Sequence, residues 1–561
     1  MTEKTAEELA KKQREISIAE FFEKNRHLLG FDNPRKALLM AVKEACDNSL
    51  DACEEARILP EVSIEILKLD EKRYRMTVED NGPGIVRKQI PKIFAKLLYG
   101  SKFHKLSSTR GQQGIGISAA VLYGQLTTGK PATIISKTAS GETAHKFKLK
   151  INTQTNNPDI LEDLEEEWPG KEHGVRIEID MEGEYLKGRQ SVDEYLKETA
   201  IVNPHATLIY TNPDAEQIIF PRIVQELPPE AREIQPHPYG IELGILIKML
   251  ENTPAKTMQQ FLTTEFVRVG PGTAKEICAN SALLPNTKPK DVSRELAENL
   301  YKGIQKTKII APPTDCISPI GEEQLEGGLR KEINAEFYCA TTRPPEVYRG
   351  NPFIIECALA YGGEQDAEGT IRILRFANRV PLLYQQGACA IANAITNTAW
   401  RTYGLQQSNG ALPTGPCTIV VHMTSVWVPF TSESKEALAH YPEIIKEIKL
   451  ALQECGRKLS MYVNKKRRIG DEAKKRGYIE KYIPHVADAI CEITTGSAAE
   501  KKQLEDNLYE ILEHVRGELE ELGVDNPDYD PEFAKIGQEE EPEEVEESPK
   551  KSKKEKQPKL R

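Results

Sequence analysis

The segment KEACDNSLDAC sets Glu44, Asp47, Asn48 and Asp51 at helical spacings, so they share one side of an amphipathic helix whose other side is apolar. A carboxylate placed there can polarise a water. A neutral amide oxygen suits a magnesium ion, which takes hard oxygen ligands and keeps several waters. Acidic helix faces are commonly just solvated, so this motif decides little alone. Further on, VEDNGPGI ends a β-run in Asp80 and turns through Asn81, Gly82, Pro83 and Gly84. A carboxylate at a pocket mouth can accept a hydrogen bond from an adenine amino group, and glycines let the backbone come close to the base, although a turn needs no function. In TRGQQGIGISAAVLYG, Gly111, Gly114 and Gly116 lead into an apolar helix. Glycine-rich backbone opening a helix offers N–H groups and a positive dipole end to phosphates. Neither a P-loop nor a Rossmann fingerprint occurs, so the phosphate loop is of another class.

Positioning such residues takes a scaffold, and 561 residues exceed one hydrophobic core, so roughly two to four domains are expected. Up to about residue 230, helical segments alternate with β-rich runs (VSIEIL, RYRMTVED, ATIISKT, HKFKLKI, VRIEIDM), the pattern of an α+β sandwich. The Pro-rich stretch LPPEAREIQPHPYG reads as a linker. A helical block follows from Ile241 to about Gln305. A mixed region then begins near Ile310, with strands at PFIIECALAYG, TIRILRFANRVPLLY and CTIVVHMTSVWVPF. From Tyr441 a long helix carries Ile445, Ile448, Leu452, Cys455, Leu459 and Tyr462 on one stripe, which predicts docking on the adjoining sheet. Helical signal continues to about Leu522.

The net charge of -11 argues against a protein that coats nucleic acid with its whole surface, yet allows a local basic groove. From Gln538 to Arg561 the chain sorts eight acids and seven bases into an acidic block and a lysine block, and with VDNPDYDPEF this tail reads as disordered. The basic cluster NKKRRIGDEAKKR, Asn464 to Arg476, fits a solvated helix face as readily as a phosphate contact. Ten scattered cysteines suggest reduced thiols rather than disulfides or zinc. The polar start lacks a signal-peptide core and no apolar run approaches a membrane span, so a cytoplasmic protein without a membrane partner is expected.

Taken in order, the acid/amide helix, Asp-x-Gly-x-Gly and Gly-x-x-Gly-x-Gly resemble the Bergerat nucleotide fold of the GHKL family: gyrase B subunits, heat-shock chaperones of the ninety-kilodalton class, histidine kinases and MutL. The resemblance makes Glu44 the general base for the attacking water, Asn48 the Mg2+ ligand and Asp80 the adenine reader, with Gly84 in the close-approach turn. Gly111, Gln112, Gln113, Gly114, Ile115, Gly116, Ile117 and Ser118 become the phosphate lid. The segment KLLYGSKFH resembles the one whose Ser101 and Lys102 lie beside the nucleotide in topoisomerase VI B subunits. After the linker, VWVPFTSESKEALAHYPEI resembles the transducer domain of that same family, in which the residue matching Lys435 reaches the terminal phosphate of ATP. A surface lysine at a helix start is the plainer account of Lys435, but a cation there opposes the helix dipole. The middle block resembles the family's helix-two-turns-helix insertion. Its VRVGPGTAKEI fits a DNA-phosphate hairpin and a purely structural helix turn equally well.

The resemblance, from about Ile16 to Ile493, implies an α+β multidomain protein. Its parts would be a Bergerat (GHKL) ATPase sandwich with an N-terminal strap (1–230), a small helical helix-two-turns-helix insertion (231–309) and an α/β transducer domain with a long C-terminal helix (310–495). A helical extension (496–536) and a disordered tail (537–561) would follow. It also implies ATP and Mg2+ as cofactors, ATP-driven self-dimerisation, and passage of one double-stranded DNA through a break in another, with relaxation and decatenation of DNA. The sole Asp-x-Asp, Asp528-Tyr529-Asp530, lies in a polar stretch without a flanking apolar strand, so strand cutting is expected on a partner. That partner would be the topoisomerase VI A subunit in an A2B2 assembly. A sensor kinase is not expected, because His27 in FFEKNRHLLGF lacks a helical hairpin around it and reads as an ordinary surface or packing histidine. The alternatives within the family are an ATP-driven chaperone and a MutL-like repair ATPase, the latter favoured by FANRVPLL.

Overall fold

A computed structural model describes residues 15–102, 105–111, 114–139, 141–432 and 435–516. Two compact units, 1–463 and 464–561, divide within the helix Pro442–Thr494.

The first unit begins with an eight-stranded sheet. Its strands are β1 (Glu61–Lys68), β2 (Arg73–Asp80), β3 (Ala132–Lys137), β4 (Ala144–Asn152), β5 (Asn157–Glu166), β6 (Gly174–Glu182), β7 (Thr207–Thr211) and β8 (Gln217–Phe220). The order is β5-β4-β3-β6-β2-β1-β7-β8, antiparallel except where β1 runs parallel to β7. Alternation in β1 turns Val62, Ile64 and Ile66 to one buried face. Leu38, Leu39, Val42 and Leu50 of helix Pro34–Glu55 share one core with that face, with helix Gly116–Thr128 and with helix Val192–Val202. Each such fully buried side chain contributes about 1.5–3 kcal/mol relative to exposure. Helix Pro34–Glu55 starts where Asn33 accepts the Lys36 N–H and Pro34 takes a first-turn position, so Glu44 and Asn48 project from its middle.

Helices Leu243–Asn252, Met258–Glu265, Pro271–Asn280 and Arg294–Lys306 then enclose a core of their own around Leu246, Phe261, Ile277 and Leu300. A second sheet follows, from β9 (Phe337–Thr342), β10 (Glu346–Tyr348), β11 (Asn351–Tyr361), β12 (Arg372–Ala377), β13 (Val380–Pro381) and β14 (Cys417–Ser425). Its order is β10-β11-β14-β12-β13, with β9 also paired to β11. As the stripe predicts, Ile448, Leu452, Cys455 and Leu459 are buried in this sheet's core, Ile445 packs against it, and Tyr462 stacks on Phe337. The sheet's opposite face closes over helix Glu322–Glu332, and Ile201 and Val202 from the first sheet's domain enter that same core. There the helices touch so closely that a side chain at Gly328 would place its first carbon 2.1 Å from the Ile201 carbonyl oxygen.

In the second unit, helix Ala498–Arg516 follows the rest of the long helix; Lys501 pairs with Asp488, and Ile483, Ala487 and Leu512 are buried. The Asp528-Tyr529-Asp530 stretch and the charge-sorted tail lie outside the described residues. Among the described residues no helix is long and apolar enough to cross a membrane.

Candidate nucleotide site

Glu44 and Asn48 lie one helical turn apart, beneath the loop that opens helix Gly116–Thr128. A side chain at Gly116 would place its first carbon 1.7 Å from Glu44 Oε2, so only glycine lets the loop rest on this carboxylate. The Asn48 amide oxygen faces Gly111, 3.6 Å from where a side chain there would begin, and Asn48 is exposed. Gly114 takes a left-handed φ of 58°, and Ile115, the N-cap of helix Gly116–Thr128, makes no side-chain capping bond. The first N–H groups of this helix, left without a side-chain cap, thus stand at the end that rests on Glu44. Ile117 is buried and Ile115 packs against the first sheet's core, while the buried Ser118 hydroxyl donates to the Ile115 carbonyl, 2.9 Å away. These three residues can thus offer a ligand main-chain N–H groups but not their side chains. Gln112 and Gln113 lie outside the described residues.

Asp80 closes β2 as a buried carboxylate. Its Oδ2 accepts from Ser49 Oγ (2.7 Å), and its Oδ1 accepts from the Gly82 N–H (2.9 Å) and the Val175 N–H (3.1 Å). Burial pushes its pKa above the ordinary aspartate value, opposed by those three hydrogen bonds. Three donors occupy three of about four lone-pair sites, which leaves Oδ2 able to take one more. Gly84, φ 71°, is held to glycine because a side chain there would meet the Lys137 carbonyl oxygen at 2.0 Å.

The helix face differs from the sequence pattern at two acids. Asp47 turns away into the protein, where it accepts from Lys43 Nζ (3.0 Å) and from Tyr195 OH (2.9 Å) as helix Val192–Val202 closes over the edge of the acidic arc. Burial opposes the Lys43 charge, but Asp47 and Glu44 outweigh it and raise the lysine pKa. Asp51 pairs with Lys102 Nζ (2.6 Å) and Arg110 Nη1 (2.9 Å), which overcome burial and hold its carboxyl below the usual range. Lys102 thus stands beside the acid/amide face, whereas Ser101 is exposed.

Lys435 is carried to the same place from the second sheet's domain. Its Nζ donates to the Arg110 carbonyl, 3.1 Å away, at the entrance of the glycine loop. Burial lowers its pKa; the Glu44 carboxylate pulls the other way. The neighbouring Glu436 forms a 2.6 Å ion pair with Lys36 of the acid/amide helix, which fixes the loop bearing Lys435.

Several groups that sequence reasoning passed over are structural partners of this site. The Arg110 guanidinium reaches Glu54 at 2.7 Å, and Glu54 accepts from His205 Nε2 at 2.6 Å. Arg110 stands immediately before Gly111, and that adjacency was the available signal.

An acid/amide helix under a glycine loop, a buried aspartate at a strand end and a lysine delivered from a second sheet define a GHKL-type nucleotide-binding ATPase joined to a transducer. The family described as "Histidine kinase-, DNA gyrase B-, and HSP90-like ATPase" matches residues 37–171, and "Topoisomerase VI B subunit, transducer" matches residues 312–475. The chain is 52% identical over 488 residues to the B subunit of type 2 DNA topoisomerase 6 from Methanococcoides burtonii, covering 87% of this chain and 78% of that one. It is 51% identical over 489 residues to the corresponding protein of Methanosarcina barkeri (87% and 79% covered) and 49% identical over 511 residues to that of Archaeoglobus fulgidus (91% and 83%). The chain belongs to the topoisomerase VI B-subunit family.

One consequence is directly measurable at Asp80. If Asp80 accepts from the adenine amine, a hydrogen bond to a charged acceptor is worth roughly 1.5–3 kcal/mol, and Asp80→Ala should weaken ATP binding by about that amount. Titration calorimetry with ATP and with a purine triphosphate lacking the exocyclic amine checks this. The second nucleotide should lose much less, and equal losses for both would contradict the assignment.

Proposed function

We propose that this chain is the ATP-hydrolysing B subunit of a type IIB DNA topoisomerase, in which ATP-driven dimerisation gates passage of one duplex through a double-strand break made by an A subunit in an A2B2 assembly. The observation that carries this reading is the reach of Lys435, from 325 residues away, onto the main chain at the glycine-loop entrance. Such a contact lets the occupancy of the phosphate site be felt by the second sheet.

Within the site, Glu44 orients and deprotonates the attacking water, and its contact with Gly116 sets where that water stands relative to the loop. Asp80 holds the base, and the loop's N–H groups hold the phosphates. The donor set suits magnesium: one exposed amide oxygen, on Asn48, beside the phosphate loop leaves most of the coordination shell to phosphates and water. Asn48 would hold that ion, which when bound neutralises phosphate charge. Lys435 adds a second cation at the loop entrance, and Lys102 stays committed to Asp51. In this reading residues 1–230, 231–309 and 310–495 act as ATPase, helical insertion and transducer, in the cytoplasm.

The test is to mix the full chain with candidate A subunits, supercoiled DNA, magnesium and ATP. ATP-dependent relaxation or decatenation is the expected result. ATP hydrolysis unaffected by DNA and without any topological change in the assembled complex would point instead to a chaperone or repair ATPase.

A further inference from the structure

Three residues of the second sheet's domain meet the main chain that enters the glycine loop or its immediate support, and all three hold left-handed backbone: Asn378 (φ 46°), Arg379 (φ 64°) and Lys435 (φ 54°). L side chains seldom adopt that conformation and keep it only where the surroundings over-determine it. Asn378 and Arg379 form the two-residue connection between β12 and β13, a turn whose second place is ordinarily glycine.

What holds Arg379 there is visible in its bonds. Its N–H donates to His422 Nε2 (3.0 Å), and its guanidinium donates to the carbonyls of Val202 (3.2 Å) and Pro319 (2.9 Å). Val202 ends the ATPase helix, and the next residue, Asn203, accepts from Arg110 and donates to the Arg379 carbonyl (3.4 Å). Asn378 is anchored within its own sheet. Its Oδ1 accepts the Ser425 N–H (2.9 Å), and its Nδ2 donates to the Ser425 carbonyl (3.0 Å). The same Nδ2 crosses to the Thr109 carbonyl (3.1 Å). Two consecutive carbonyls ahead of Gly111 are therefore taken by two different groups, Thr109 by Asn378 and Arg110 by Lys435.

We propose that the Asn378–Arg379 turn is a second sensor of the phosphate loop, acting beside Lys435 rather than through it. Asn378 is a positioning residue: fixed to Ser425, it follows the Thr109 carbonyl, so a displacement of the loop entrance is passed to β12 and β14 even without the lysine. A neutral amide makes this contact, so it reports where the loop is. The ammonium reports the charge the loop holds. The two are differential contacts of separate origin, as any ligand-driven rotation requires. This inference rests on the nucleotide reading of the loop.

Asn378→Gly keeps the left-handed turn and removes the amide, whereas Asn378→Asp keeps the acceptor for the Ser425 N–H and loses the donor to the Thr109 and Ser425 carbonyls. In the assembled complex, both should leave the KM for ATP within about twofold while strand passages per ATP hydrolysed fall by about fivefold or more, the lower end of measured couplings. By scattering, the difference in shape between ATP-analogue and ADP forms should shrink in Asn378→Gly and shrink further in the double variant with Lys435→Ala. In the unaltered chain, hydrogen exchange at the Ser425 amide should differ between analogue and ADP. An Asn378→Gly variant that couples like the parent overturns the proposal, as does a double variant no worse than Lys435→Ala alone. Unchanged Ser425 exchange overturns it even if both variants fold poorly. A parent chain that binds no ATP would instead sink the nucleotide reading itself.

Discussion

Glu44→Ala is expected to reduce ATP turnover by about 10²- to 10⁴-fold, the usual cost of losing a positioned general base. ATP binding should survive. The carboxylate touches the loop at Gly116 and pairs with Lys43 at 3.5 Å, whereas the residue proposed to read the base, Asp80, hangs on Ser49, on the Gly82 N–H and on Val175 of β6, none of which Glu44 touches. Removing the carboxylate also opens space beneath the loop without breaking a bond that holds Asp80. Dimers formed on ATP should therefore persist instead of dissociating. Single-turnover hydrolysis beside equilibrium binding separates the two effects, and a variant that turns over ATP at the parental rate would remove Glu44 from the role of base.

Lys435→Ala should reduce hydrolysis and strand passage by about 10²- to 10³-fold, the range found when one preorganised donor to developing charge is removed. Nucleotide binding should fall far less, because the glycine loop and Asp80 remain. The lysine also predicts a pH dependence. Burial is the largest influence on it and lowers its pKa from 10.5; Glu44, Asp47 and Asp51 oppose that, and Lys43 adds to it. The ammonium is charged below its folded-state pKa and is lost as pH rises through it. The alkaline limb of kcat/KM, which reports the free enzyme, should accordingly fall at a pH below 10.5. Lys435→Arg, which stays protonated throughout, should move that limb upward. A limb at the same pH in both proteins would show that another group governs it.

Much of this site was legible because its parts are local. VEDNGPGI announces a strand that ends in a turn, and the glycine loop announces a helix start, each within a few residues. The spacing of Glu44 and Asn48 places both on one helix face, but it cannot tell which neighbouring acids are free. Asp47 is claimed by Tyr195, 148 positions away, and Glu54 by His205, 151 away, and only tertiary packing decides such pairings. In the ATPase sheet, β1 to β4 and β6 follow readable β-runs. β5 does not: NPDILEDLEE is acid-rich, its Ile160, Leu161 and Leu164 do not alternate, and all three are exposed, since an edge strand can take its place through main-chain bonds alone. TIRILRFANRVPLLY likewise reads as one run, because the turn at Asn378 and Arg379 lacks the glycine that would mark it.

The core shared by Ile201, Val202 and the second sheet, sealed at Gly328, bears on how interchangeable the parts of this chain can be. Cutting at the Pro-rich linker would leave an ATPase fragment whose Ile201 and Val202 stand uncovered as an apolar scar. Its Arg110 carbonyl would have lost the lysine, and Val202 the Arg379 guanidinium. Any graft of a foreign transducer would have to reproduce a glycine at that crossing and a left-handed Asn-Arg corner opposite it. The boundary therefore behaves as inherited machinery, and the two sides are expected to change together or not at all.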